Sequence, residues 1–454
     1  MRQSLDPIAA ANVTIVDRGA TFCVIGAGPS GLCALKNFVE AGIPVECLEA
    51  SADLGGIWNY AQPSGGVYES THLISSKRLT EYRDFPMPDA YPEYPSHAQA
   101  LAYLRSYAER FDLTSLIRFG VRVERVEKSG ESWLVRTNDG TTTRYRGVVI
   151  ANGHHRTPNL PEWPGRFDGE ILHSSAYKSA TQLRGKRVLV VGAGNSGCDI
   201  AVDAAQHATS CAISLRRGYH FVPKFYRGAP IDVWGEWLLR WRVPLFLRRA
   251  LLAYGSRIAL GNPTTLGFPA PTHRFLETHP IINSQLLYFA GHGRIAAKPT
   301  LKAIDGRRVT FVDGTSGEFD LLVAATGYRV DFPFINEATF TWRDGAPRLW
   351  LHAFPPDEDA LFVAGMLQTD SGAWGIVDLQ TRLMARFVAA QNRAPAIAAW
   401  FRAMKLGPQP DLGNGVRYVA GPRHTLEVEH FSYRRRLEKL LARFDIAPAR
   451  SPRD

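Results

Sequence analysis

Two glycine-rich runs are the residues in this chain whose types and spacing most directly suggest chemistry: Gly26-Ala27-Gly28-Pro29-Ser30-Gly31 and Gly192-Ala193-Gly194-Asn195-Ser196-Gly197. Each follows a continuous apolar run (TFCVI, RVLVV) and precedes apolar residues at helical spacing. Strand, glycine turn and helix in that order form the context in which G-x-G-x-x-G binds a dinucleotide. The first glycine permits the tight turn, the second lets the backbone approach a pyrophosphate, and the third lets the helix pack close to the sheet. The helix start offers free N–H groups and partial positive charge to the phosphates. The next strand of each unit ends differently. PVECLE at 44–49 ends in Glu49, whose carboxylate would accept hydrogen bonds from ribose hydroxyls. CAISL at 211–215 runs into Arg216 and Arg217, whose guanidinium groups would pair with a 2′-phosphate that a carboxylate would repel. A hydrogen bond to a charged group contributes about 1.5–3 kcal/mol, so one such bond gives about a tenfold preference for NADPH over NADH. Two different strand ends imply two different dinucleotides, a resident FAD at the first site and a visiting NADPH at the second.

The elements that must position these residues follow from periodicity and turn chemistry. The first strand opens at Thr21, and its helix runs to about Ala41 before Gly42 stops it. The second unit has a strand at 187–191 and a helix to about Ala208. Ser96 reads as the N-cap of a helix ending near Phe111. Residues 117–150 alternate as short strands divided by Gly130 and Asn138-Asp139-Gly140, the pattern of an antiparallel meander. Short strands recur at 306–325, a strand LFVAGM lies at 361–366, and a helix covers the 370s and 380s. The last sixty residues read as helices broken by prolines, ending in a frayed tail, APARSPRD.

Composition limits the classes of protein this can be. With 454 residues, 45% of them hydrophobic and 21% charged, the chain is a globular protein of more than one domain, not a disordered or fibrous one. The five cysteines are odd in number, and none pair as CxxC, which argues against a disulfide framework and for a reducing cytoplasm. The first twenty residues carry Asp6 and Asp17 and lack an apolar core, so no secretory signal is read there. His154-His155 has no accompanying ligand cluster, so no metal site is expected. A net charge of +10 could serve nucleic acid, a membrane surface or anionic small molecules. No basic run has the spacing of a nucleic-acid motif. The arginines that can be given a partner point to NADPH.

Between the glycine runs, residues 167–177 read FDGEILHSSAY, which matches FxGxxxHxxxY at each fixed position. Gly55-Gly56-Ile57-Trp58, the DFPMP run at 84–88, Ala325-Thr326-Gly327-Tyr328 and Gln368 add further matches across about residues 20–390. On these segments the chain resembles the flavin-containing monooxygenases, a branch of the class B flavoprotein monooxygenases. The resemblance implies that Gly56, Ile57, Trp58 and Gln368 lie beside the flavin, and that Thr326, Gly327 and Tyr328 lie near the cofactor junction. It gives His173 and Tyr177 a part in cofactor positioning and domain coupling. Aligned on Lys77, Ile74 stands where many relatives carry an asparagine that supports the oxygenated flavin, with His72 and Ser75 as the nearest polar candidates to replace it. The implied chemistry is reduction of FAD by NADPH, addition of O2 as a flavin hydroperoxide, and transfer of one oxygen atom to a sulfide or amine.

The expected architecture is therefore α/β, with two Rossmann-like domains for FAD and NADPH, the second inserted into the first. Residues 1–157 are the N-terminal part of the FAD domain. The NADPH domain occupies 158–325, with a basic aromatic insertion at about 220–290, and 326–454 complete the FAD domain. In that insertion Trp234, Trp237, Trp241, Phe246 and Tyr254 interleave with arginines. A lid or homodimer contact is the preferred reading over a membrane-facing surface. The alternatives are Baeyer–Villiger oxidation of a ketone, which Tyr177 disfavours because those relatives usually carry Trp there, and a non-catalytic flavoprotein or redox sensor. A flavin disulfide reductase would need a redox cysteine pair, and none of the five cysteines offers one.

Overall fold

The computed structural model describes residues 14–62, 65–421 and 424–445, so residues 1–13 and the APARSPRD tail lie outside the described residues. Two mostly parallel sheets organise the chain. The first runs in the order Ile117–Arg118, Val45–Leu48, Ile15–Ile25, Thr142–Ile150, Ser132–Thr137, Val123–Ser129. A seventh strand, Leu361–Val363, pairs in parallel with Val148–Ile150. The second sheet is parallel throughout, in the order Ile295–Lys298, Ser210–Ser214, Arg187–Val191, Leu321–Ala324, Glu170–His173. Both are layered with helices, Pro29–Glu40 and Trp374–Arg393 packing together beside the first and Asn195–His207 beside the second.

Two expectations need correction. The first strand begins at Ile15, ahead of Thr21. Its residues 15–18 pair with Thr142–Tyr145 while their side chains face solvent, so no apolar run announces them. The stretch 117–150 is only partly an antiparallel meander. Ile117–Arg118 lies parallel to Val45–Leu48, and Thr142–Ile150 has an antiparallel partner in Ser132–Thr137 and a parallel one in Ile15–Ile25. Where predicted, the helix behind Ser96 forms as His97–Arg110 with a complete capping box, Ser96 to Gln99 and back.

The two helices of the first unit are tied by a buried polar knot. Lys36, 1% exposed, pairs with Asp84 and, at 3.2 Å, with the fully buried Asp378. Asn37 Nδ2 donates to Asp378 Oδ1 (2.9 Å) and to Thr381 Oγ1 (2.8 Å). Burial alone would lower the pKa of Lys36, yet Asp378 and Asp84 hold it above its ordinary value. Removing one partner of such a pair leaves the other charge uncompensated in the interior. Lys36→Met is expected to cost about 3 kcal/mol, by the usual penalty for breaking a buried pair. Thermal unfolding should show a lowered Tm that Lys36→Arg partly restores, and an unchanged Tm would refute the account.

Candidate functional site

The two glycine turns fold by the same geometry. Gly26 adopts φ +102° and donates its N–H to Leu48 O at 2.9 Å; Gly192 adopts φ +106° and donates to Ser214 O at 3.0 Å. Neither has room for a side chain: a Cβ would meet Ala151 O at 2.8 Å in the first and Ala325 O at 2.4 Å in the second. The third glycines are tighter still, since a Cβ on Gly31 would stand 1.8 Å from Gly26 O and one on Gly197 2.1 Å from Gly192 O. Gly28 and Gly194 are the N-caps of Pro29–Glu40 and Asn195–His207, and neither helix start has a side-chain cap. Two helix N-termini are therefore left with unsatisfied N–H groups, the arrangement that accepts phosphate. The donor sets fit two dinucleotides.

The sequence also repeats the far wall of each seat. Both seats close on an apolar strand running into Ala-x-Gly, VVIANG at 148–153 and LVAATG at 322–327, with Gly153 and Gly327 at φ +74° and +80°. The repeat was readable from spacing, because the alanine carbonyl in each is the atom the first glycine must clear.

Distant segments converge on the first seat. Gly55 N donates to Ala27 O (3.0 Å), and a Cβ on Gly56 would lie 3.1 Å from Gly28 Cα. The turn Gly56–Trp58 then carries Ile57 and sets Trp58 edge-on to Trp374 with centroids 5.6 Å apart. Gly365 approaches from the C-terminal part, where a Cβ would stand 2.2 Å from Ser30 Oγ. Gln380, wholly buried, fixes that approach by accepting from Gly365 N at 3.0 Å. Gln368 begins a two-residue strand against Glu427–Val428 and donates its backbone N–H to Leu426 O (2.8 Å). Glu49 already holds the loop, accepting from Ala27 N (2.6 Å) and Ser51 N (2.7 Å). A carboxylate has further lone pairs for a ribose hydroxyl, so Glu49 both shapes the turn and retains acceptor capacity.

At the second seat, Asn195 accepts from Ile282 N (2.9 Å) and the Ser196 hydroxyl lies beside Tyr68. Arg216 and Arg217 are placed unequally. Arg216 is exposed, whereas Arg217 bonds His424 Nε2 at 3.0 Å and lies over the Tyr219 ring. Thr326 binds Asn159 O through its hydroxyl, and Gly327 O accepts from Asn159 N (2.9 Å).

His173 braces the crossing between the sheets. Ser175 N donates to its Nδ1 (3.1 Å), which assigns the proton to Nε2, and Nε2 donates to Gly327 O (3.1 Å). Its ring meets Tyr328 at 5.3 Å, nearly perpendicular, and Tyr328 lies 5.3 Å from His155. Burial lowers the His173 pKa, so the ring stays neutral, and burial raises that of the Tyr328 phenol. Thr157–Pro158 and Tyr328–Arg329, the strands entering and leaving the second unit, pair antiparallel at this point.

Of the remaining candidates, Tyr177 meets the second seat through Tyr68, whereas His72 and Ser75 bond elsewhere. Tyr177 is fully buried, with its hydroxyl on Asp203 Oδ2 (2.8 Å) and its ring 5.4 Å from Tyr68. Ser70 reaches the same Asp203 oxygen (2.7 Å), and Tyr68 donates to Asp199 (2.9 Å), so this cluster ties the N-terminal part to the helix Asn195–His207. No motif marks Asp199 or Asp203, because their partners Tyr68 and Ser70 are more than a hundred residues away and Tyr177 lies on a separate strand-to-helix connection. His72 is exposed and bonds Ser70 O; Ser75 is satisfied by Thr80 at 2.7 Å; Ile74 is half-buried between them.

With this geometry in hand, three comparisons place the chain among known proteins. The model of the family described as flavin-binding monooxygenase-like matches residues 19–406. The chain is 32% identical over 389 residues to dimethylaniline monooxygenase (N-oxide-forming) 2 of Oryctolagus cuniculus, covering 80% of this chain and 72% of that protein. It is 30% identical over 433 residues to flavin-containing monooxygenase 5 of Mus musculus, covering 90% and 80%. Among solved structures, cyclohexanone monooxygenase from Rhodococcus sp. Phi1 bound to NADP+ shares the fold, with a TM-score of 0.69 at 19% identity over 95% of this chain and 98% of that one.

Proposed function

This chain belongs to the flavin-binding monooxygenase-like family, and from that premise we propose that it oxygenates a soft nucleophile, a sulfide or an amine, using FAD, NADPH and O2. For a sulfide the balance is NADPH, H+, O2 and R2S to NADP+, water and R2SO. Two electrons would come from NADPH, one oxygen atom would go to sulfur, and the other would leave as water. Bound FAD supplies the redox and oxygen chemistry, and the protein supplies orientation and exclusion of water. The observation that carries this reading is the pair of uncapped helix starts with opposite charges beyond them, Glu49 at one and Arg216 at the other.

On this reading residues 1–157 and 326–454 form the FAD domain and 158–325 the NADPH domain. Gly26 to Gly31 hold the FAD pyrophosphate, and Gly192 to Gly197 that of NADPH. Neutral His173 and Tyr328 position the junction without moving a proton, and Tyr177 couples the two units through Asp203. The helices Ile231–Arg240 and Leu245–Leu260 act as a lid or a dimer contact, and their place as walls of a cavity favours the lid. Among the described residues no helix is long and apolar enough to cross a membrane. Five buried free thiols suit a reducing cytoplasm.

The purified protein should be yellow, oxidise NADPH faster when a sulfide or amine is added, and yield a product heavier by one oxygen in mass spectrometry. A colourless protein that gains no flavin on reconstitution would overturn the reading. Arg216→Ala should raise the KM for NADPH about tenfold through loss of one charged hydrogen bond while leaving NADH nearly unchanged. Arg217→Ala should do less, because that guanidinium is engaged by His424. Equal losses for both nucleotides would show that Arg216 does not read the 2′-phosphate.

A further inference from the structure

Two cavities meet at the helices Ile231–Arg240 and Leu245–Leu260, and neither belongs to the glycine seats. The inner one, about 80 Å³, has walls of Val222, Ile231, Leu238, Leu252, Phe275 and Ile282, with Asp370 and Ser371 just beyond Gln368–Thr369. The outer is an open groove of about 610 Å³ with Arg242, Arg248, Arg435, Arg436 and Lys439 in its walls and no carboxylate among them. Leu239, Arg248 and Phe431 are common walls of both.

Arg248 is the unusual residue. It is 6% exposed, its Nε has no hydrogen-bond partner, and among the described residues no carboxylate lies within ion-pair distance. Its neighbours are treated differently: Arg249 pairs with Glu277 (3.0 Å) and Arg434 with Glu236. The acids near the inner cavity are also occupied. Asp232 accepts from Ser76 N (2.7 Å), Val233 N (3.0 Å) and Ser371 Oγ (3.2 Å), and Asp370 accepts from His430 N (2.9 Å). Glu429 caps the helix His430–Asp445 through Phe431 N and Ser432 N (2.8 and 3.1 Å). Burial lowers the Arg248 pKa despite attraction from Glu429 and Asp370. A buried guanidinium nitrogen without a hydrogen-bond partner is costly and persists where something else satisfies it. Arg242, which joins the two helices, holds φ +55°, a conformation favouring glycine, and still places an arginine on the groove.

We propose that the nucleophile oxygenated by this protein carries an anionic end, a carboxylate in the first instance, which Arg248 holds at the mouth of the apolar cavity while the apolar body lies inside. Arg242, Arg435, Arg436 and Lys439 would draw the anion into the groove from solution. The inference rests on the monooxygenase reading for the word nucleophile, and on the cavity alone for the anion.

The test uses the flavin-loaded protein and three thioethers of one length: 5-(methylthio)pentanoate, its carboxamide, and the analogue ending in trimethylammonium. Calorimetric binding without NADPH should give the carboxylate about a tenfold lower Kd than the carboxamide, the effect of charged hydrogen bonds in a shielded site. The ammonium analogue should bind weakest. Turnover should rank the three alike in kcat/KM. In Arg248→Met, shown to be folded by its flavin content, the advantage of the carboxylate should vanish. Equal binding of carboxylate and carboxamide, preference for the ammonium, or an advantage that survives in Arg248→Met would each overturn the proposal. Should Arg248→Met fail to fold, the variant carrying Arg435→Gln, Arg436→Gln and Lys439→Gln replaces it: weaker, less salt-sensitive binding of the carboxylate supports the proposal, and unchanged binding overturns it. Preferential binding of the carboxylate with no oxygenation of any nucleophile would sink the monooxygenase reading and leave the anion site standing.

Discussion

Gly31→Ala is expected to purify without stoichiometric FAD. The added Cβ would lie 1.8 Å from Gly26 O, an atom of the backbone that no rotamer can move aside. The helix Pro29–Glu40 must then lift from the sheet, and its N–H groups leave the positions a pyrophosphate needs. Overpacking of this kind costs about 1–3 kcal/mol or more, so flavin affinity should fall roughly tenfold or further. Gly28→Ala separates the packing argument from the ligand argument. A Cβ there meets only Gly56, its Cα at 3.7 Å and its N at 4.0 Å, both ordinary contacts, so the apoprotein should keep its stability and lose flavin only because the side chain enters the cofactor's space. The ratio of flavin absorbance to protein after gel filtration, with thermal unfolding of the stripped protein, distinguishes the two. Full FAD retention by Gly31→Ala would refute the packing account.

Gly197→Ala should give the complementary phenotype, a yellow protein that NADPH reduces poorly. Its Cβ would meet Gly192 O at 2.1 Å and Ala325 Cβ at 3.0 Å, displacing the helix Asn195–His207 from its strand. The lesion lies on the second sheet, so the first seat should be spared. Anaerobic mixing should show NADPH-driven bleaching of the flavin slowed roughly tenfold to a hundredfold, by the same packing cost, while dithionite still reduces it fully. Loss of flavin together with loss of NADPH reduction would mean that the two seats are not independent.

What could be read from the residues depended on how local the physics was. The glycine runs, the strands around them, Glu49 and the Arg216-Arg217 pair are contiguous signals, and the geometry of the turns follows from them. His173 and Tyr328 were reached through the resemblance, because the contact that explains them spans from residue 173 to residue 327. Asp203, Gln380 and Gly365 carry no local mark, since each acts on a partner that only tertiary packing supplies. Arg248 looks like an ordinary solvated helix arginine beside Arg249, and burial without a partner is what sets it apart. The equivalence of VVIANG and LVAATG is a different matter, because it is a contiguous signal whose meaning follows only from the glycine turn each must clear. The early start of the first strand at Ile15 was hidden because its outward side chains obey no apolar pattern.

The pairing of Leu361–Val363 with Val148–Ile150 also sets an order of assembly on the ribosome. Every strand of the second sheet lies between Glu170 and Ala324, so that sheet can close once its own stretch has emerged. The first sheet begins earlier, yet Val148–Ile150, paired on one side with Cys23–Ile25, lacks its second neighbour until Val363 is made. At about 5–20 residues per second, that edge stays open for roughly 10–40 s of synthesis. The half of the protein translated first is therefore the half that finishes second, and its exposed strand edge is where a nascent chain of this protein would be most prone to pair wrongly.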